Sequence, residues 1–205
     1  MNILSKVPMA PLTATQLSCD CGEFKAYISN YPKCSLGTVI CYCDDCQKYL
    51  HHLKRIDLLD SYGGTELVPI YPHYFSIQSG EDLLQCHRLN PKGLNRWSVS
   101  CCSSPIGNTL SKFPWLGLSK KLFLNGDDRN KNILGNVKSR IMGKYKTQNA
   151  PFAISNKLAF KDMMIVLPFI LKGIIFFKKK NNPFFREDGI TPLKKPIILQ
   201  ENESV

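Results

Sequence analysis

The sequence lacks an apolar run long enough to cross a bilayer. Its longest candidate, Met163–Phe177, is broken by Pro168, Lys172 and Gly173, and a spanning helix needs about 20 apolar residues. The opening residues MNILSKVPMAPLTA also lack the apolar core of a signal peptide. A reducing, cytoplasmic setting is therefore expected, and a disulfide framework is not. Charge is divided unevenly along the chain, through the basic side chains and not the acidic ones. Residues 1–110 hold nine Lys/Arg against nine Asp/Glu, whereas residues 111–205 hold 18 against seven, so the whole net charge of +11 lies there. A basic half suits an acidic partner or simply a solvated surface. Few aromatic residues are interleaved with the lysines, so nucleic acid is not expected.

What is present in excess is cysteine, with nine residues. An odd number of reduced thiols points to metal binding or reactivity. Cys41-Tyr-Cys43-Asp-Asp-Cys46 can bring three thiolates to one ion from a tight loop. Zinc takes thiolate sulfur and prefers four tetrahedral ligands. The fourth position is then either open, as in catalytic zinc, or closed by a distant side chain. Cys19-Asp-Cys21-Gly22 offers a second pair, and Cys101-Cys102 is its natural partner. Adjacent side chains diverge on a strand, so at most one of those two, Cys101 or Cys102, is expected to join. Cys34, Cys86 and His87 are the candidates for the remaining position, although Cys34 and Cys86 read better as small buried hydrophobes. His51 and His52 follow the triple-cysteine loop and suit either a surface pair or a proton carrier.

Short β-branched and aromatic segments bounded by Gly, Pro and Asn give strands at 37–41, 74–78 and 97–100. Residues 45–57 suit one or two helical turns. In the second half, Ile133–Tyr145 carries Leu134, Val137 and Ile141 at helical spacing. Asn156–Lys180 is the most helix-like stretch, capped by Asn156, ended by Lys178–Lys180 and kinked or split at Pro168. That helix is a buried element, an interfacial helix touching a membrane surface through 156–180 without spanning it, or a partner-binding helix. The Pro-rich tail after Pro183 carries an apolar 197–199 segment suited to docking.

Residues 18–118 resemble the glutathione-dependent formaldehyde-activating enzyme family, which includes the CENP-V-like proteins. That pattern has an early Cys-x-Cys-Gly, matched by Cys19, Cys21 and Gly22. It then has a small residue before Cys-x-Cys-x-x-Cys, matched by Gly37 with Cys41, Cys43, Cys46 and Gln47. A later Arg and Cys-x-x-Cys-Gly correspond to Arg96 and to Cys101-Cys102, where the second cysteine is missing and Ser104 or Pro105 stands in its place. The variant late motif resembles a bacterial branch that shares the Gly-Gly-Thr, Arg-Trp and Pro-Phe-Phe segments.

The resemblance implies a mainly β, Mss4-like β-tent over residues 1–118. It does not reach 119–205, which the sequence itself suggests is a basic, partly helical C-terminal extension packed on it. It implies a structural Zn2+ at Cys19, Cys21 and Cys102, short of one ligand, and a reactive Zn2+ at Cys41, Cys43 and Cys46. The implied activity is that of a carbon–sulfur lyase on a small glutathione-type thiol adduct, whose carboxylates would meet Lys48, Lys54, Arg55 or Arg96. The Mss4-like fold also serves non-catalytic, zinc-stabilised binding modules, and this is the competing expectation.

Overall fold

The computed structural model describes residues 14–126, 130–157, 160–177 and 182–199. The described chain is mainly β. A small antiparallel sheet contains β1 (Thr15–Ser18), β2 (Lys25–Ile28) and β5 (Phe75–Ser79), in that order. The large sheet is built from β3 (Thr38–Cys41), β4 (Thr65–Ile70), β6 (Leu84–Arg88), β7 (Asn95–Val99), β8 (Pro105–Thr109) and β9 (Leu116–Ser119), joined by β10 (Val137–Ile141) and β11 (Ile197–Ile198). Its order is β10-β3-β4-β9-β8-β7-β6-β11. The helices are α1 (Asp44–His52), α2 (Lys120–Gly126), α3 (Asn130–Ile133) and α4 (Phe160–Phe177).

Strands β7, β8 and β9 are buried along their whole length, as strands covered on both faces are. Their core centres on Trp97, Phe24, Phe123 and Phe184. Trp97 keeps its indole N–H satisfied by donating to Thr109 Oγ1 at 2.9 Å. All of the three expected strands are present as β3, β5 and β7, and the expected turns after the cysteine loop are α1.

The second half departs from expectation at Ile133–Tyr145. This segment holds β10 instead of a helix, running parallel to β3 with Ile141 opposite Cys41. The apolar residues at 134, 137 and 141 fit a helix by spacing alone. Val137 and Ile141 are β-branched, however, and β3 offers a row of backbone groups that β10 satisfies. The anticipated division at 118/119 falls inside β9. Beyond it, β10 and β11 extend the large sheet at its two ends, and Leu122, Phe123, Phe169 and Phe184 join the common core. The 197–199 segment docks as β11, parallel to β6.

Helix α4 runs through Pro168 without ending there. Its expected terminus at Lys178–Lys180 lies outside the described residues. Phe169 stacks on Tyr71 with ring centroids 4.1 Å apart, and Gly173 allows close approach, since a Cβ there would lie 2.6 Å from Pro114. Asp162 is buried and bonded by the Ser139 hydroxyl of β10. Among the described residues no helix is long and apolar enough to cross a membrane.

Candidate metal centre

Among the described residues two groups of sulfur atoms converge, and both contain only cysteine. The first joins Cys19 and Cys21, from the turn after β1, to Cys101 and Cys102, from the turn between β7 and β8. All four sulfurs lie within 4.8 Å of one another. Neighbouring separations are 3.5 Å for Cys19–Cys21, 3.9 Å for Cys19–Cys101 and 3.8 Å for Cys101–Cys102. Four sulfurs bonded tetrahedrally at about 2.3 Å sit about 3.8 Å apart, so the donor set fits a zinc-sized thiophilic ion.

The expectation that only one of Cys101 and Cys102 joins is corrected here. It assumed strand geometry, but these residues lie in a turn whose next residue, Ser103, has φ 54°. The turn folds both sulfurs to the same side, and the set has four thiols without Cys34, Cys86 or His87. Ser104, at the position of the missing second cysteine, is fully buried. Its hydroxyl lies 3.1 Å from Cys102 Sγ and accepts the Asp20 amide at 3.1 Å. Burial resists ionisation of Cys102, but the Ser104 hydroxyl and nearby amides outweigh it and lower the thiol to about 6. Burial pushes Cys19 up, offset in part by the Phe24 amide, which donates to its sulfur at 3.3 Å. Asp20 is clamped by Arg55 Nη1 at 2.7 Å and by the Asn125 amide at 2.6 Å.

The second group is Cys41, Cys43 and Cys46, again within 4.8 Å of one another. Cys41 ends β3, Cys43 is the N-cap of α1, and Cys46 faces back from its first turn. The loop is held by Gln47, whose amide donates to the Tyr42 and Tyr145 carbonyls at 2.8 and 2.9 Å. Hydrogen bonds from Cys41 and Cys43 hold Cys46 well below the usual thiol range, helped by Arg96. The same contacts push Cys41 far up. The three thiols thus titrate as one coupled set, and a dication among them favours the deprotonated form of each.

Arg96 is 3% exposed. It donates to Cys46 Sγ at 3.6 Å and to Asp45 Oδ2 at 3.3 Å, with its guanidinium 5.6 Å from the centre of the Tyr49 ring. A cavity of about 560 Å³ opens directly onto this group. Cys41, Cys43, Cys46 and Arg96 form one end; Leu67 of β4 and Trp115, just before β9, line one wall, and Ile165, Val166 and Ile170 of α4 close another side. Of the four cations expected to meet a substrate, only Arg96 lines it. Lys48 pairs with Asp44 at 2.9 Å, and Arg55 serves Asp20 and Asp57. Lys138 and Asn108 also line the cavity. Lys138 arrives on β10, so the helical expectation for that segment concealed it; nothing in the sequence marked Asn108.

Cys34 and Cys86 are buried singly, and burial raises each to about 12. His87 is buried on β6, with Nε2 3.1 Å from Ser98 Oγ and its ring 5.3 Å from that of His52. Burial, then the charge of His52, lowers His87 to about 4 from 6.5. It stays neutral in the fold but is protonated in the unfolded chain below about pH 6.5. Its contribution to stability is therefore complete above that pH and falls as pH drops towards 4, by at most about 3 kcal/mol. In urea titrations from pH 7 to 4.5, His87→Gln is expected to flatten this slope relative to the wild type. An unchanged slope would show that His87 does not carry it.

No curated protein matches the chain. The crystal structure of a Rhodobacter sphaeroides protein is similar over 60% of this chain and 96% of its own, at 14% identity and a TM-score of 0.40. Residues 12–194 match a family described as "Family of unknown function (DUF6151)". That match takes in both cysteine groups, the cavity and α4, and the chain belongs to this family.

Proposed function

We propose that the protein holds Zn2+ at both cysteine groups and acts in carbon–sulfur chemistry on a small thiol adduct of the glutathione type. The observation that carries this reading is the contrast between the groups. One has four sulfurs and no need of a further ligand. The other has three sulfurs, and the 560 Å³ cavity stands at its missing position. An open position beside a cleft is what a reactive metal needs and a purely structural one does not. The resemblance to the formaldehyde-activating family, with its Mss4-like β-tent, supports the same assignment of roles.

Zinc bound at Cys41, Cys43 and Cys46 would supply Lewis acidity towards a substrate oxygen or sulfur. The chain's own residues do the rest. Arg96 offsets the charge of the thiolates and fixes Cys46. Lys138 and Asn108 offer donors to a polar substrate group. The apolar walls from the sheet and α4 accommodate the hydrocarbon part of an aldehyde.

The test is turnover. The zinc-loaded protein is mixed with glutathione and formaldehyde, and exchange between free and S-hydroxymethyl glutathione is followed by NMR. Acceleration over the uncatalysed exchange, lost in Cys43→Ser, is the expected result. A protein with two zinc ions per chain and no acceleration with this or longer aldehydes would instead be a zinc-stabilised binding module.

A further inference from the structure

The outward face of α4 is a feature that the cysteine chemistry does not use. Asp162, Phe169 and Gly173 form its buried stripe. At 100° per residue the opposite arc is occupied by Phe160, Met163, Met164, Leu167, Leu171 and Ile175. These side chains are 79, 45, 61, 50, 48 and 71% exposed. No polar residue interrupts the arc. Lys161 and Lys172, eleven positions apart, lie together on one flank of this arc, with Ile165 and Phe176 exposed beyond them. The only acid on the helix, Asp162, is turned inward and bonded by Ser139. A contiguous exposed apolar patch of this kind marks an interaction site more often than scattered apolar residues do.

We propose that α4 is an interfacial helix that seats the protein on an anionic lipid surface, its apolar arc sunk among the acyl chains and its lysines among the headgroups. Charge decides the occupant. The helix carries a basic flank, Lys178–Lys180 follow it directly in sequence, and all of the chain's +11 lies in the half that contains it. Anionic headgroups complement that charge. A second copy of the same face would instead bring its own lysines against these. The combination of a wide apolar arc, adjoining lysines and, among the described residues, no helix both long and apolar enough to span is that of a helix lying in the interface plane. The inner side of α4 walls the cavity at Cys41, Cys43 and Cys46, so seating the helix sets that cavity beside the lipid. This inference does not rest on the reading of the cysteine groups.

The test is co-sedimentation of the full chain with phosphatidylcholine vesicles, with and without about 30% phosphatidylglycerol. The anionic vesicles are expected to bind at least about 10-fold more tightly, and raised salt is expected to remove most of that difference. Met164→Glu/Leu171→Glu/Ile175→Glu is expected to lower binding by about 100-fold or more. Because those side chains already face outward, metal content and melting temperature should be unchanged. Lys161→Ala/Lys172→Ala leaves the apolar arc intact and should weaken binding to anionic vesicles alone. Failure of the wild type to bind, equal binding to both vesicle types, or indifference to the triple substitution would each overturn the proposal. So would a dimer by light scattering that the triple substitution splits, since a second copy would then cover the arc.

Discussion

Replacing Cys19 with serine is expected to remove one metal ion and the stability of the fold with it, whereas replacing Cys43 with serine is expected to remove one metal ion and leave the fold standing. The difference follows from what each group joins. Cys19 and Cys21 leave the small sheet, and Cys101 and Cys102 leave the β7–β8 turn of the large one, so an ion among them fastens the two sheets across 82 residues of chain. Structural zinc in small domains is worth about 10–16 kcal/mol of apparent binding free energy, and that energy is folding energy. Losing even about 4 kcal/mol of it in a chain of this size lowers Tm by roughly 8–16 °C. Cys41, Cys43 and Cys46 all sit on β3, α1 and the loop between them. Those elements are independently fixed by β4, β10 and the Gln47 bonds. Cys43→Ser should therefore shift Tm by only a few degrees. Elemental mass spectrometry on chelator-free protein should give two zinc ions per chain for the wild type and one for each variant. Full metal retention in Cys43→Ser, or equal loss of Tm in both variants, would refute this division of labour.

The sequence carried the three-cysteine loop because its ligands are neighbours, and local spacing is enough to show that they can meet. It carried β3, β5 and β7 for a similar reason, since turn residues bound each short apolar run. What it hid depends on non-local geometry. Whether Cys101 and Cys102 diverge is decided by the backbone after them, and a left-handed φ at a non-glycine residue, Ser103, is not a sequence signal. The identity of 133–145 was hidden because Leu134, Val137 and Ile141 fit a helical spacing while Val137 and Ile141 also fit a strand; the edge of β3 chooses between them. With β10 misread, Lys138 and Ile141 could not be placed at the cavity. The sequence did show that α4 is short, apolar and fenced by lysines. Only the packing of Phe169 and Gly173 shows which of its faces is left outward.

Arg96→Met is expected to weaken zinc at the three-cysteine group by about 10–100-fold, the range found when a partner of a metal ligand is removed. Three thiolates around a dication leave a net negative charge in a half-buried setting. Arg96 is the cation placed against it, with one bond to Cys46 and one to Asp45. Methionine preserves much of the side chain's volume among Tyr49 and the sheet but neither offsets the charge nor donates. Lysine keeps the charge as a point and loses the planar pair of bonds, so Arg96→Lys should recover part of the affinity. Competition with a chelator of known affinity measures both. The effect should be confined to the metal-loaded form. Without metal, Cys46 can take up a proton when the guanidinium is lost, so no uncompensated charge is left buried at the sulfur. Chelated wild-type and Arg96→Met proteins should then melt within a few degrees of each other, while their zinc-loaded forms separate. A variant that unfolds equally with and without metal would make Arg96 a core residue first. Unchanged zinc affinity would mean that the cluster holds its charge without it.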